Sequence, residues 1–169
     1  MIYAGIGARK TPKRILNQMR IIGKSLGNRG ILLHSGGANG ADLAFEYGCD
    51  EVNGPKKIYL PWKGFNNSDA PFIPLTDNTI KLAKDFHPRW DKLSRAGQSF
   101  MARNGYQVLG PDLDDPVDLV ICWTPDGKAS GGTGQAIRIA EYYQIPVINM
   151  YNYRDFSQVR DKIKRELKL

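Results

Sequence analysis

The chain has 169 residues, 41% of them hydrophobic and 24% charged. That suits one globular domain with a sizeable core, and no apolar run is long enough to span a membrane. The net charge of +7 favours anionic partners. Two cysteines (Cys49, Cys122) and two histidines (His34, His87) show no metal-ligand spacing, so buried free thiols, no metal and no cofactor are expected.

Ile2 to Ile6 reads as a first strand, buried on both faces. No secretory leader is visible ahead of it, so a cytoplasmic location is the expectation. Thr11 and Pro12 read as N-cap and first helical residue, followed by a stripe of Ile15, Met19, Ile22 and Leu26. Gly27 to Gly30 ends that helix, and Ile31 to His34 is strand two. Asn39 or Ser35 is expected to cap a second helix that stops near Gly48.

Lys57 to Leu60 reads as strand three and 61–76 as a loop. Residues 77–104 read as helical with a break at His87-Pro88, and Gly105 to Pro116 as a turn region. Leu119 to Trp123 is strand four. A helix with Ala136, Ile137, Ala140 and Tyr143 inward follows, then strand five from Ile145 to Met150. Phe156, Val159, Ile163 and Leu167 mark a last amphipathic helix. Strict alternation of strands and helices predicts a single α/β domain over 1–169: a Rossmann-like open, mostly parallel sheet with helices on both faces.

Open parallel sheets bind ligands beyond the carboxyl ends of their strands. Three loops lie there: Gly7-Ala8-Arg9-Lys10-Thr11, Ser35-Gly36-Gly37-Ala38-Asn39-Gly40-Ala41-Asp42, and Thr124 to Gln135 with Ser130-Gly131-Gly132-Thr133-Gly134. Glycine-rich turns that open a helix aim backbone N–H groups at an anion. Neither loop is a P-loop or a dinucleotide fingerprint. No acidic residue precedes Asp42, whereas Arg9, Lys10, Lys13, Arg14, Arg20, Lys24 and Arg29 all do. That basic face suits phosphates or is simply a solvated surface.

Ile6-Gly7-Ala8-Arg9 with Ser35-Gly36-Gly37-Ala38-Asn39-Gly40-Ala41-Asp42 resembles the core of the DNA-processing protein A family. Gly131-Gly132-Thr133-Gly134 resembles the glycine loop of the lonely-guy phosphoribohydrolases. Both belong to the Rossmann-like SLOG superfamily, which also holds molybdenum-cofactor carriers and nucleotide sensors. The likeness covers roughly residues 2–150. It departs at the lonely-guy glutamate, where Arg138 stands, with Glu141 one turn later.

The expectation is a small nucleotide-derived ligand, such as a nucleoside monophosphate or an ADP-ribose-like molecule, held by a sensor, carrier or sequestering protein. Its phosphate would lie between the Gly36-Gly37 and Gly131-Gly132 loops. The remaining candidate contacts are Gly7, Ala8, Arg9, Thr11, Ser35, Ala38, Gly40, Asp42, Asn104, Thr124, Thr133, Gly134 and Gln135. If the chain is instead a nucleotide N-glycosidase, Glu46 and Arg103 are the catalytic candidates; the plainer alternatives are a solvated helix position and a helix-end charge. A third reading, implied by the resemblance, is single-stranded DNA binding on the basic face. The resemblance also implies a homodimer or higher homo-oligomer.

Overall fold

The computed structural model describes all residues, Met1–Leu169. Five strands form one all-parallel sheet: β1 (Ile2–Gly5), β2 (Leu32–Ser35), β3 (Lys56–Ile58), β4 (Leu119–Cys122) and β5 (Val147–Asn149), in the order β3-β2-β1-β4-β5. Six helices flank it: α1 (Lys13–Gly27), α2 (Ala41–Asp50), α3 (Asp77–Phe86), α4 (Arg95–Leu109), α5 (Gly131–Tyr142) and α6 (Phe156–Glu166). The expected open sheet is therefore present, and parallel throughout.

The period-two alternation of the strands divides the core into two layers. Tyr3, Leu119, Ile121 and Trp123 pack with Met19, Ile22 and Leu26 of α1, Phe45 of α2 and Val159 of α6. Ala4, Ile6, Val120 and Cys122 face the other way, against Val108 and Leu109 of α4 and Ile137 and Ile139 of α5. Burying a dozen such side chains at about 1.5–3 kcal/mol each is the main drive to fold. Cys49 and Cys122 are buried free thiols.

Several expected boundaries move, each for a local reason. Pro12, not Thr11, is the N-cap of α1, because the Thr11 hydroxyl donates back to the Ala8 carbonyl at 2.6 Å. Gly40 caps α2 in place of Asn39 or Ser35. The Asn39 side chain instead accepts from Asn66 Nδ2 at 2.9 Å. The long helical stretch breaks at His87-Pro88 as expected, but α4 then continues past Gly105 to Leu109 and ends at Gly110, whose φ is +73°. Tyr143 follows the end of α5 and is exposed rather than inward.

Strand order reverses between β1 and β4, since β2 and β3 lie on one side of β1 and β4 and β5 on the other. A crevice beyond the carboxyl ends at this reversal is the standing place for a ligand in an open α/β sheet.

Candidate functional site

A cleft of about 490 Å³ occupies that crevice, a size typical of small-molecule sites (about 300–1,000 Å³). The β1 loop contributes Gly7, Ala8, Arg9 and Lys10, and the β2 loop and α2 contribute Ala38 and Asp42. The N-terminus of α5 contributes Ser130, Gly131, Gly132 and Thr133, with Pro125 beside them. The fourth wall is α4: Gly97, Phe100, Met101, Arg103, Asn104 and Gln107. Three cations, Arg9, Lys10 and Arg103, face one carboxylate, Asp42.

The N-terminus of α5 is open. Its N-cap, Ser130, turns its hydroxyl to Asp126 Oδ1 at 2.7 Å and leaves the helix without a side-chain cap. The N–H groups of Gly131, Gly132 and Thr133 have no intrahelical acceptor, and the first turn holds no acidic residue. Asn104 Nδ2 donates to the Gly132 carbonyl at 2.9 Å, tying the loop to α4. Such a terminus is suited to an anion.

The floor is charged and buried. Arg103, 4% exposed, donates from Nη1 to the carbonyls of Gly36 (2.6 Å) and Tyr59 (3.0 Å). Its Nη1 lies 3.8 Å from Asp42 Oδ2. Burial pulls the guanidinium down from its usual range, with Asp42 opposing. Asp42 accepts from the Ala38 N–H at 3.4 Å. Burial raises its carboxyl to about 6, while Arg103 and the N–H groups of Ala38 and Gly7 hold that rise back. Phe100 receives the Arg9 guanidinium 5.0 Å from its ring centroid, and Trp62 and Phe65 meet it edge-on at 5.1 and 5.3 Å.

Of the residues singled out from the sequence, Gly7, Ala8, Arg9, Ala38, Asp42, Arg103, Asn104, Gly131, Gly132 and Thr133 meet around this cleft. Others do not line it. Thr11 is held by Ala8, and Ser35 Oγ donates to the Gly5 carbonyl at 2.7 Å. Thr124 Oγ1 bonds the Lys128 carbonyl at 2.8 Å, and Gln135 Nε2 bonds the Ala83 carbonyl at 2.8 Å. Gly36, Gly37, Gly40 and Gly134 lie behind the walls. Glu46 opens instead onto a second cleft at the β3 edge, 2.8 Å from Lys56 Nζ, so it does not meet Arg103. Arg138, at the position of the lonely-guy glutamate, braces α5 through the carbonyls of Phe86 and Ala129 at 2.9 and 3.1 Å.

Lys10, Pro125 and Ser130 lie in the loops expected at the strand ends without having been singled out as contacts, whereas Gly97, Phe100, Met101 and Gln107 of α4 were not expected to line the site. A signal for four wall residues was present: Phe100, Arg103, Asn104 and Gln107 stand at i, i+3, i+4 and i+7, one face of a helix. Elsewhere, no three histidine, cysteine or acidic side chains gather as a metal site, and no helix is long and apolar enough to cross a membrane.

No family model and no curated protein sequence matches the chain. Solved structures do resemble it. The molybdenum-cofactor carrier protein of Chlamydomonas reinhardtii superposes with a TM-score of 0.59 at 15% identity, over 99% of this chain and 97% of that one. DNA processing protein A from Helicobacter pylori, described for its single-stranded DNA binding mode, superposes with a TM-score of 0.52 at 16% identity, over 98% of this chain and 73% of that one. At such identities the likeness establishes a shared Rossmann-like fold.

Proposed function

We propose that this protein binds a small phosphorylated, nucleotide-derived ligand in the cleft between β1 and β4, as a carrier, sensor or sequestering protein. The observation that carries this reading is the uncapped α5 N-terminus facing Arg9 and Lys10 across a closed-floored cleft. The phosphate sits on Gly131, Gly132 and Thr133, with Arg9 and Lys10 neutralising it. Gly7, Ala8, Ala38, Asp42 and Asn104 bound the rest of the ligand. The first loop does not share the phosphate, because Asp42 already brings negative charge to the start of α2. A molybdenum-cofactor carrier among the fold relatives is in keeping with a small anionic cargo.

Mass spectrometry under native and then denaturing conditions, after incubation with nucleotides, tests it. An intact nucleotide retained by the native chain and lost in Gly132→Asp is the expected result. A Cβ at Gly132 meets only Met101 Cε, at 3.5 Å, so the variant folds while its carboxylate repels phosphate. Unchanged retention in Gly132→Asp refutes the site. Release of free base reinstates a hydrolase, with groups other than a Glu46–Arg103 pair. A second reading, single-stranded nucleic acid, rests on the exposed Arg9 and Lys10 of the cleft lining together with the exposed Lys13 and Arg14 at the start of α1. It requires binding that weakens steeply with salt.

A further inference from the structure

Arg9 is exposed, yet its place in the cleft lining is specified from both ends. Its backbone is fixed in the β1 loop. The Ala8 N–H donates to the Trp123 carbonyl at 3.2 Å, the Thr11 hydroxyl closes on the Ala8 carbonyl, and a Cβ on Gly40 would come 2.8 Å from the Arg9 Cα. Its guanidinium lies over the Phe100 ring, 5.0 Å from the centroid. Arg103 donates to two carbonyls and faces Asp42, whereas Arg9 donates to no protein acceptor and no ion pair of the chain includes it. The ring therefore holds the Arg9 head group and leaves its N–H groups free. The ring is itself held: Trp62 and Phe65 stand 5.1 and 5.3 Å from it and 5.1 Å from each other. Asn66 ties their turn to the first glycine loop through the Gly37 carbonyl at 3.0 Å and Asn39 Oδ1 at 2.9 Å. Arg103 lies 5.8 Å from the same Phe100 centroid. Burial lowers its guanidinium most, Asp42 opposes, and repulsion from Arg9 adds to the lowering. Two like charges share one ring, and only one of them has a carboxylate.

We propose that Phe100, braced by Trp62 and Phe65, is a positioning residue: it holds the unpaired Arg9 guanidinium at the cleft, so that a ligand phosphate meets a preset fork of donors. The proposal rests on the reading of the cleft as a phosphorylated-ligand site and assigns how its exposed arginine is fixed. An arginine free in water gives up rotamer freedom when it clamps an anion. A guanidinium already resting on an aromatic face gives up less, and the smaller loss appears as affinity. An aromatic ring attracts the cation through its quadrupole and uses none of the N–H donors. A carboxylate in its place would occupy the fork and neutralise the charge. The same role accounts for three aromatic rings gathered so near water, with Trp62 39% exposed.

Calorimetric titration of the full chain with ribose 5-phosphate and with adenosine monophosphate tests this. Phe100→Leu is expected to weaken both by about two- to fivefold, the worth of one exposed cation–π contact. Phe100→Tyr keeps the ring and should restore both. In an Arg9→Met background Phe100→Leu should cost nothing further, because the group that the ring holds is gone. A Phe100→Leu loss that persists without Arg9 overturns the positioning role and leaves the phosphate site standing. A loss confined to adenosine monophosphate also overturns it, and makes Phe100 a stacking surface for the base. Binding of neither compound by the unaltered chain overturns the phosphate site as well. One measurement needs no variant. Protons over an aromatic face are shifted upfield in the NMR spectrum, so the Arg9 side-chain protons of the unaltered chain should lie upfield of those of the exposed Arg14. Coincidence of the two sets overturns the proposal whether or not Phe100→Leu folds.

Discussion

The two glycine loops look alike in sequence and do opposite work. The first, Gly36 to Gly40, is closed on itself. Arg103 holds the Gly36 carbonyl, Asp42 holds the Ala38 N–H, and Gly40 sits with φ +90° against the β1 loop. The second, Ser130 to Thr133, is open: a Cβ on Gly131 meets nothing, and one on Gly132 meets only a methionine methyl at 3.5 Å. Glycine in the first loop is demanded by neighbouring protein. In the second it leaves room at a helix terminus, and that difference is the reason the proposal sets the anion on the second loop rather than between the two.

The largest expected effect comes from removing what closes the first loop. Arg103→Met strips the donor from two carbonyls and leaves Asp42 buried without its cation. Breaking a buried pair on one side costs about 3–5 kcal/mol, so urea denaturation should show a midpoint lowered accordingly. A loss below about 1 kcal/mol would show that the loop is not held from α4. Next is Gly40→Ala. Its Cβ would meet the Arg9 and Ala8 carbonyl oxygens at 2.6 and 2.8 Å in a left-handed conformation. Strain and overpacking together should cost about 2–3 kcal/mol by the same measurement.

Acid titration probes the same closed region. The Asp42 carboxyl is raised from 3.8 to about 6. Between those values the folded chain keeps a proton that the unfolded chain has lost, so this group's contribution to stability falls as pH rises from about 4 to about 6. His34, on the strand that leads into the loop, runs the other way. Burial, then Lys57, lowers it from 6.5 to about 4. There the unfolded chain takes up the proton first, so this contribution is full above pH 6.5 and is lost as pH falls toward 4. The two slopes oppose each other across most of that window. Asp42→Asn removes one of them, and its stability should climb more steeply with pH than that of the unaltered chain, by on the order of 2 kcal/mol across the window. Arg103 and Glu46 also act on Asp42, but both remain in the variant. Parallel pH profiles for the two proteins would show that Asp42 ionises normally.

The architecture was legible because both periodicities are clean. The Ile15, Met19, Ile22 and Leu26 stripe and the alternation of Leu119 to Cys122 each face the layer that their period demands. Both loops that flank the strand reversal were legible because they follow strands directly. What sequence does not carry is the direction of a polar side chain. Ser35, Thr124 and Gln135 look like ligand contacts, yet all three are fully buried and bonded inward. Gln107 was hidden by a glycine read as a stop. Gly105 lies inside α4 because Leu82 of α3 packs 3.1 Å from where its Cβ would stand, so the residue serves a helix contact and not a turn. With the helix cut there, the face formed by Phe100, Arg103, Asn104 and Gln107 could not be seen whole.

The smallest expected effect is the sharpest test of the comparison, because it applies Gly→Ala to the open loop and should reverse the sign. Gly132 lies in the first turn of α5, and its Cβ position is in ordinary van der Waals contact with Met101. Alanine there narrows the unfolded ensemble without native strain, a gain of about 0.5 kcal/mol, or roughly 1–2 °C in Tm for a chain of this size. A Gly132→Ala loss comparable to that of Gly40→Ala would mean that the second loop is as tightly built as the first. The anion site would then have no room to exist. A small gain in Tm, with ligand retention abolished only when the new side chain carries a charge, separates a glycine kept for the fold from a glycine kept for what binds beside it.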